Sequence, residues 1–178
     1  MNIIAFSGSL RKDSYNTALL RAFQEVAGGD TTINIADIST LPLFNQDAEA
    51  AFPSEAQALK DRVVAADAVI FATPEYNRSL PGVLKNAIDW ISRPYGQNSF
   101  ARKPVLITGV SGGKIGTALA QSHLRQIMLY LDACLVGQPE LYLGPATEIF
   151  DERNMLKNES TKELLGKALA ALEKQGQR

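Results

Sequence analysis

Five short apolar runs rich in β-branched residues, at 2–7, 32–36, 68–73, 104–109 and 134–142, punctuate the chain, and each is separated from the next by a stretch that can hold a helix. Alternating elements of this kind imply a parallel sheet covered by helices on both faces. The same pattern predicts helices over 15–27, 54–66, 79–92, 115–131 and 159–175. Ser14 reads as an N-cap, and Ser54 just after Pro53 and Ser79 two residues ahead of Pro81 are further start signals. The expected architecture is a three-layer α/β/α doubly wound fold with a five-stranded parallel sheet, residues 1–178 forming a single domain. Ligands of such sheets bind outside the carboxyl ends of the strands, which singles out loops 8–14, 74–79 and 110–116.

Charge and cysteine content narrow the chemistry. Lys and Arg number 18 against 19 for Asp and Glu, so no broad positive field draws the chain to nucleic acid or anionic lipid, and small molecules or further copies of the chain are the expected partners. With one cysteine, Cys134, and one histidine, His123, neither a disulfide framework nor a Cys/His zinc site can be assembled within one chain. Cys134, in an apolar strand, is read as core packing, and isolated His123 is not expected to act as a ligand or catalyst. The N-terminus reads as a buried strand rather than a secretory signal, and no run of about 18 apolar residues marks a membrane span, so a cytoplasmic location is expected.

In the first loop Gly8 permits a turn that a side chain would obstruct. Ser9, Ser14 and Asn16 offer short polar groups beside the free N–H groups of the next helix, and Arg11 adds a cation. That set suits a phosphate. The segment has neither the Gly-x-Gly-x-x-Gly dinucleotide fingerprint nor the Gly-Lys-Ser/Thr ending of an NTP-binding loop. In the second loop Pro74 stiffens the strand exit, the N–H groups of Glu75 to Asn77 and the Asn77 side chain can bond the edge of a heterocycle, and Tyr76 can cover a ring face. The helix that follows has a core stripe of Leu80, Leu84, Ala87, Ile88 and Ile91. Trp90 falls off that stripe, beside Val83 and Asn86, which points to an apolar surface for a subunit interface bordering the site. In the third loop three glycines, Gly112, Gly113 and Gly116, allow backbone to approach a planar ligand from the other side. No Gly-x-Ser-x-Gly elbow is present, which removes the common hydrolase reading and leaves the chemistry to a bound cofactor.

The segments Gly8-Ser-Leu-Arg-Lys-Asp-Ser-Tyr-Asn16, Thr73-Pro-Glu-Tyr-Asn77, Leu84-Lys-Asn-Ala-Ile-Asp-Trp90 and Ser111-Gly-Gly113 resemble the NADPH-dependent FMN reductase family, in its quinone and chromate reductase branch. The resemblance implies a flavodoxin-like fold with bound FMN and with NADPH or NADH as co-substrate. Ser9, Arg11, Ser14 and Asn16 would hold the FMN phosphate, with Tyr15 also among the cofactor-binding residues. Pro74, Glu75, Tyr76 and Asn77 would line the isoalloxazine, and Ser111, Gly112 and Gly113 would close its other edge. The family also implies homodimers or homotetramers with sites at subunit boundaries, and His123-Leu-Arg-Gln-Ile127 resembles a helix that helps assemble them.

These expectations describe a two-electron reductase in which NAD(P)H gives hydride to flavin N5 and leaves, after which an acceptor takes the same face in a ping-pong cycle. Quinones, chromate, nitroaromatics, azo compounds and free flavin are the acceptor classes. No protein nucleophile or general base is expected. Arg78 and Lys114 are candidates for meeting the extra phosphate of NADPH. The alternative is a flavodoxin-like electron carrier without its own NAD(P)H turnover, a reading that the near-neutral charge and the Arg11-bearing loop oppose.

Overall fold

The computed structural model describes residues 1–177. Strands β1 (Asn2–Ser7), β2 (Thr32–Ala36), β3 (Ala68–Ala72), β4 (Pro104–Val110), β5 (Cys134–Leu135) and β6 (Leu141–Leu143) form one parallel sheet in the order β2-β1-β3-β4-β5, with β6 also paired to β4. Helices α1 (Tyr15–Val26), α2 (Ser54–Ala65), α3 (Gly82–Ile91), α4 (Ala118–Tyr130), α5 (Ala146–Ile149) and α6 (Glu159–Gly176) cover it. The order is that of a flavodoxin-like α/β fold.

Successive side chains along each strand point to opposite faces, which is why the apolar runs build two cores. Ile3, Ala5, Ile70, Ala72 and Leu106 pack under α1 and α6, while Ile4, Phe6, Val69, Phe71, Val105 and Ile107 pack under α2, α3 and α4. Phe6 and Phe71 stack across the β1–β3 pair at 5.2 Å between ring centroids.

Two local expectations are corrected. The single strand expected over 134–142 is two: pairing to β4 runs out after Val136, whose N–H reaches the Val105 carbonyl, and resumes at Leu141. Gly137 and Pro139 occupy the gap, and proline has no N–H to give a ladder. The third helix starts at Gly82 with Pro81 as its cap residue, not at Ser79, because residues 76–79 close a turn of their own. Ser14 does cap α1, its side chain accepting from the N–H groups of Asn16 and Thr17, whereas Ser54 is the first helical residue of α2 and its hydroxyl donates to Glu55.

Candidate active site

The chain leaves β1 toward β2 on one side and leaves β3 toward β4 on the other, so the carboxyl ends of the adjacent strands β1 and β3 open a crevice beside which the end of β4 also lies. Three loops converge there. Gly8 joins the first to the second: its N–H donates to the Ala72 carbonyl, and a Cβ at this position would lie 2.9 Å from Pro74 Cδ and 3.3 Å from Thr73 Cα. Close approach, not a glycine-only torsion, is what residue 8 supplies.

Within the first loop Ser9, Ser14 and Asn16 are buried while Leu10 to Asp13 are exposed. The Ser9 hydroxyl accepts from the Arg11 N–H at 3.3 Å, and among the described residues the N–H groups of Leu10, Lys12, Asp13 and Ser14 have no acceptor. Those donors, the Ser9 and Ser14 hydroxyls, the Arg11 guanidinium and the positive end of α1 have the chemistry of an anion cradle. Asn16 and Tyr15 face elsewhere. The Asn16 amide donates to the Val110 carbonyl and accepts from the Val110 N–H, each at 3.0 Å, and the Tyr15 ring stacks on Phe150 at 6.2 Å. On the β2 side of the loop, Asp37 shares a pocket with Ser9 and Arg11, and hydrogen bonds from the Ser39 hydroxyl and N–H hold its carboxyl below the ordinary value.

The second loop is a tight turn in which the N–H groups of Tyr76 and Ser79 each donate to the other's carbonyl at 3.0 Å. Its two central residues, Asn77 and Arg78, have φ of 50° and 64°. Such a turn needs left-handed backbone at both positions, which Asn tolerates and Arg adopts only when held. The Tyr76 and Ser79 N–H groups are therefore engaged internally, and among the described residues the Glu75, Asn77 and Arg78 N–H groups have no acceptor. Tyr76 exposes about half of its surface beside them. The Glu75 side chain turns away to α4, with Oε2 accepting from the Leu119 and Ala120 N–H groups at 3.0 and 3.3 Å. The Ser79 hydroxyl lies 3.0 Å from His123 Nδ1, a polar contact that brings His123 next to the turn.

In the third loop a Cβ at Gly112 or Gly113 would meet nothing within 4 Å, so this stretch borders open space. Gly116 differs: its φ is +60° and a Cβ would lie 2.3 Å from the Tyr142 backbone, so it packs the loop onto β6. Tyr142 itself donates to Glu140 at 2.6 Å, and burial together with that carboxylate pushes its phenol up from its ordinary value. Ser111 is held by backbone bonds to Leu143 and Ala146. Lys114 is exposed.

Trp90 overturns the expected surface patch. It is fully buried, edge-on to Phe44 and Phe52 at 4.9 and 5.1 Å, and its Nε1–H donates to the Pro42 carbonyl at 2.8 Å. Asn86 clamps the same segment, donating to Pro42 O and accepting from Phe44 N. Cys134 is half-buried at the sheet edge rather than in the core.

An anion cradle, a turn with free N–H groups beside an exposed aromatic ring, and a glycine stretch facing open space meet at the switch point of a flavodoxin-like sheet, an arrangement with the chemistry to hold a nucleotide cofactor. The comparisons with known proteins carry this further. A family model described as NADPH-dependent FMN reductase matches residues 1–148. A 2-hydroxy-1,4-benzoquinone reductase of a Burkholderia species is 46% identical over 165 residues, covering 93% of this chain and 90% of that protein. An NAD(P)H-dependent FMN reductase of Pseudomonas aeruginosa is 44% identical, covering 97% and 94%. Among solved structures, the flavoenzyme NAD(P)H:(acceptor) oxidoreductase FerB of Paracoccus denitrificans superposes with a TM-score of 0.88 at 41% identity, covering 97% of this chain and 95% of that one. The chain belongs to the NADPH-dependent FMN reductase family, and is accordingly an oxidoreductase that uses FMN and NAD(P)H.

Proposed function

We propose that this single domain reduces quinones with NAD(P)H, by a ping-pong cycle in which the dinucleotide and the acceptor occupy one exposed face in turn. FMN, when bound, supplies the two-electron chemistry. The observation that carries the reading is the convergence of the three loops, which Gly8 and Asn16 bring into contact at the carboxyl ends of β1, β3 and β4. Ser9, Arg11 and Ser14, with the loop N–H groups, hold the phosphate. Pro74 and the Glu75 and Asn77 N–H groups orient one edge of the ring, Tyr76 borders its open face, and Ser111, Gly112 and Gly113 close the other edge. Asn16 and Tyr15 support the cradle from behind through Val110 and Phe150. Fixed N–H groups at the ring edge favour negative charge there without a titrating side chain.

Chromate, nitroaromatic and azo compounds and free flavin are secondary acceptors in this reading, because the face beside Tyr76 is open rather than shaped to one substrate. Self-association into dimers or tetramers is part of the proposal. It is supported by a groove of about 510 Å³ between α3 and α4, lined by Leu80, Ile88 and Ile127, and by the exposed Leu129 and Tyr130 next to it. A cytoplasmic location is part of the same proposal.

The test is steady-state reduction of 1,4-benzoquinone by NADPH at several fixed quinone concentrations, with FMN-loaded protein. Parallel double-reciprocal lines are expected, and intersecting lines overturn the shared-face cycle. Titration of Arg11→Ala apoprotein with FMN tests the phosphate assignment, with an affinity loss of about tenfold expected for one charge-assisted contact.

A further inference from the structure

Helix α4 begins without a cap of its own. Its N-cap residue, Thr117, sits in the left-handed region at φ 62° and makes no capping bond, and its hydroxyl instead accepts from the Gln121 side chain at 3.1 Å. The first N–H groups of a helix need an acceptor from somewhere. Here it comes from 44 residues away in sequence, as Glu75 Oε2 accepts from Leu119 and Ala120. The other oxygen, Oε1, lies 3.3 Å from the Arg78 guanidinium. The Glu75 side chain is only 10% exposed, so its charge is met by the positive end of α4 on one side and by Arg78 on the other.

From this geometry we propose that Glu75 is a positioning residue. Its carboxylate braces the 74–79 turn against the start of α4 and so sets the width of the slot between that turn and the 111–113 loop, where the flavin ring enters. The inference rests on the site reading above. It gives the side chain a task separate from the Glu75 backbone, which faces the ligand. It also gives the guanidinium of Arg78, whose backbone is left-handed in the turn closed by Tyr76 and Ser79, a partner in Glu75.

Thr117 sits at the joint between the third loop and α4, so a shift of the helix start moves both. A carboxylate whose oxygens are both engaged by protein groups acts through its acceptor geometry, not through a bare charge presented to the ligand. Glutamine keeps one acceptor in nearly the same place, whereas alanine keeps none.

The experiment uses apoprotein of the wild type, Glu75→Ala, Glu75→Gln and Arg78→Ala, with FMN as the probe. Amide exchange at Leu119 and Ala120 is read without flavin, and FMN affinity by quenching of flavin fluorescence. In Glu75→Ala the two amides are expected to exchange at least about tenfold faster and FMN to bind about tenfold more weakly, as loss of a charged acceptor predicts. Glu75→Gln is expected to restore affinity to within about threefold of wild type, since a neutral acceptor replaces the charged one. Unchanged exchange or unchanged FMN affinity in Glu75→Ala overturns the brace. So does a Glu75→Gln protein that keeps its protected amides yet binds FMN as poorly as the alanine variant, because charge alone is then at work. If Glu75→Ala does not fold, the glutamine comparison and a smaller affinity loss in Arg78→Ala carry the test. Wild-type apoprotein that protects both amides but takes up no FMN removes the site reading, and the role proposed here with it.

Discussion

Asn16 and Val110 are joined by two hydrogen bonds of 3.0 Å, one in each direction, across 94 residues of sequence. The first turn of α1 and the last residue of β4 are thereby held in register, which ties the anion cradle to the glycine loop. Replacing Asn16 by Ala leaves a buried N–H and a buried carbonyl unpaired, at a cost of about 1–3 kcal/mol. The expected outcome is a lower urea midpoint together with weaker FMN retention, and a stability curve that overlays the wild type counts against the strut.

Gly8→Ala tests the contact between the first two loops. The added Cβ lies 2.9 Å from Pro74 Cδ and 3.2 Å from Leu84 Cδ2 in the present geometry, so the loops must separate. Crowding of this kind costs about 1–3 kcal/mol. Because the strain is localised at the crevice, FMN affinity is expected to fall further than the shift in thermal midpoint alone accounts for. Apoprotein titration and calorimetry measure the two separately.

Trp90 is the only tryptophan in the chain and therefore reports on its own surroundings. Buried between Phe44 and Phe52, it is expected to emit at short wavelength and to resist quenching by iodide in the monomer and in any oligomer alike. Trp90→Ala is expected to cost about 3–5 kcal/mol in a urea titration. Trp90→Phe, which loses the bond to the Pro42 carbonyl but keeps a ring, is expected to cost about 1 kcal/mol for that bond plus the reduced ring volume.

Lys60 gives a pH-dependent prediction. Its ammonium is buried, donating to the carbonyls of Ile91 and Gln97 and to Ser99 Oγ, and burial pushes its pKa below the ordinary 10.5. The folded chain thus binds this proton less tightly than the unfolded chain does. Stability attributable to Lys60 rises with pH between the lowered folded value and 10.5, and is flat below that window. Lys60→Met, which cannot titrate and orphans the three acceptors, is expected to be destabilised by about 1–3 kcal/mol. Its deficit relative to wild type should widen as pH rises toward 10.5, and a constant or shrinking deficit contradicts the assignment.

Strand and loop placement was legible because it depends on local pattern. The runs at 2–7 and 32–36 match β1 and β2, and the loops after the first, third and fourth strands are the three that meet. What could not be read were partnerships set by tertiary contact. A helical wheel places Trp90 off the core stripe, but cannot show that residues 42–52 fold over it. Likewise Asn16 next to Ser14 looks like a phosphate ligand until the end of β4 arrives beside it. Glu75 carries no mark in sequence that the N–H groups its carboxylate accepts from belong to a helix starting more than 40 residues later. Ser79 had the composition of a helix start, and lost that role because Asn77 and Arg78 both take left-handed backbone and close the turn onto Tyr76.

The break between β5 and β6 bears on how exposed the sheet is to strand addition. A sheet edge with an unbroken row of free N–H and carbonyl groups templates the addition of foreign strands. Here one edge is interrupted at Gly137 to Glu140 by a segment containing Pro139, and the other edge, β2, is five residues long with exposed Thr32 and Asn34. Neither border offers a long ladder, so fibrous growth by strand addition is disfavoured at both.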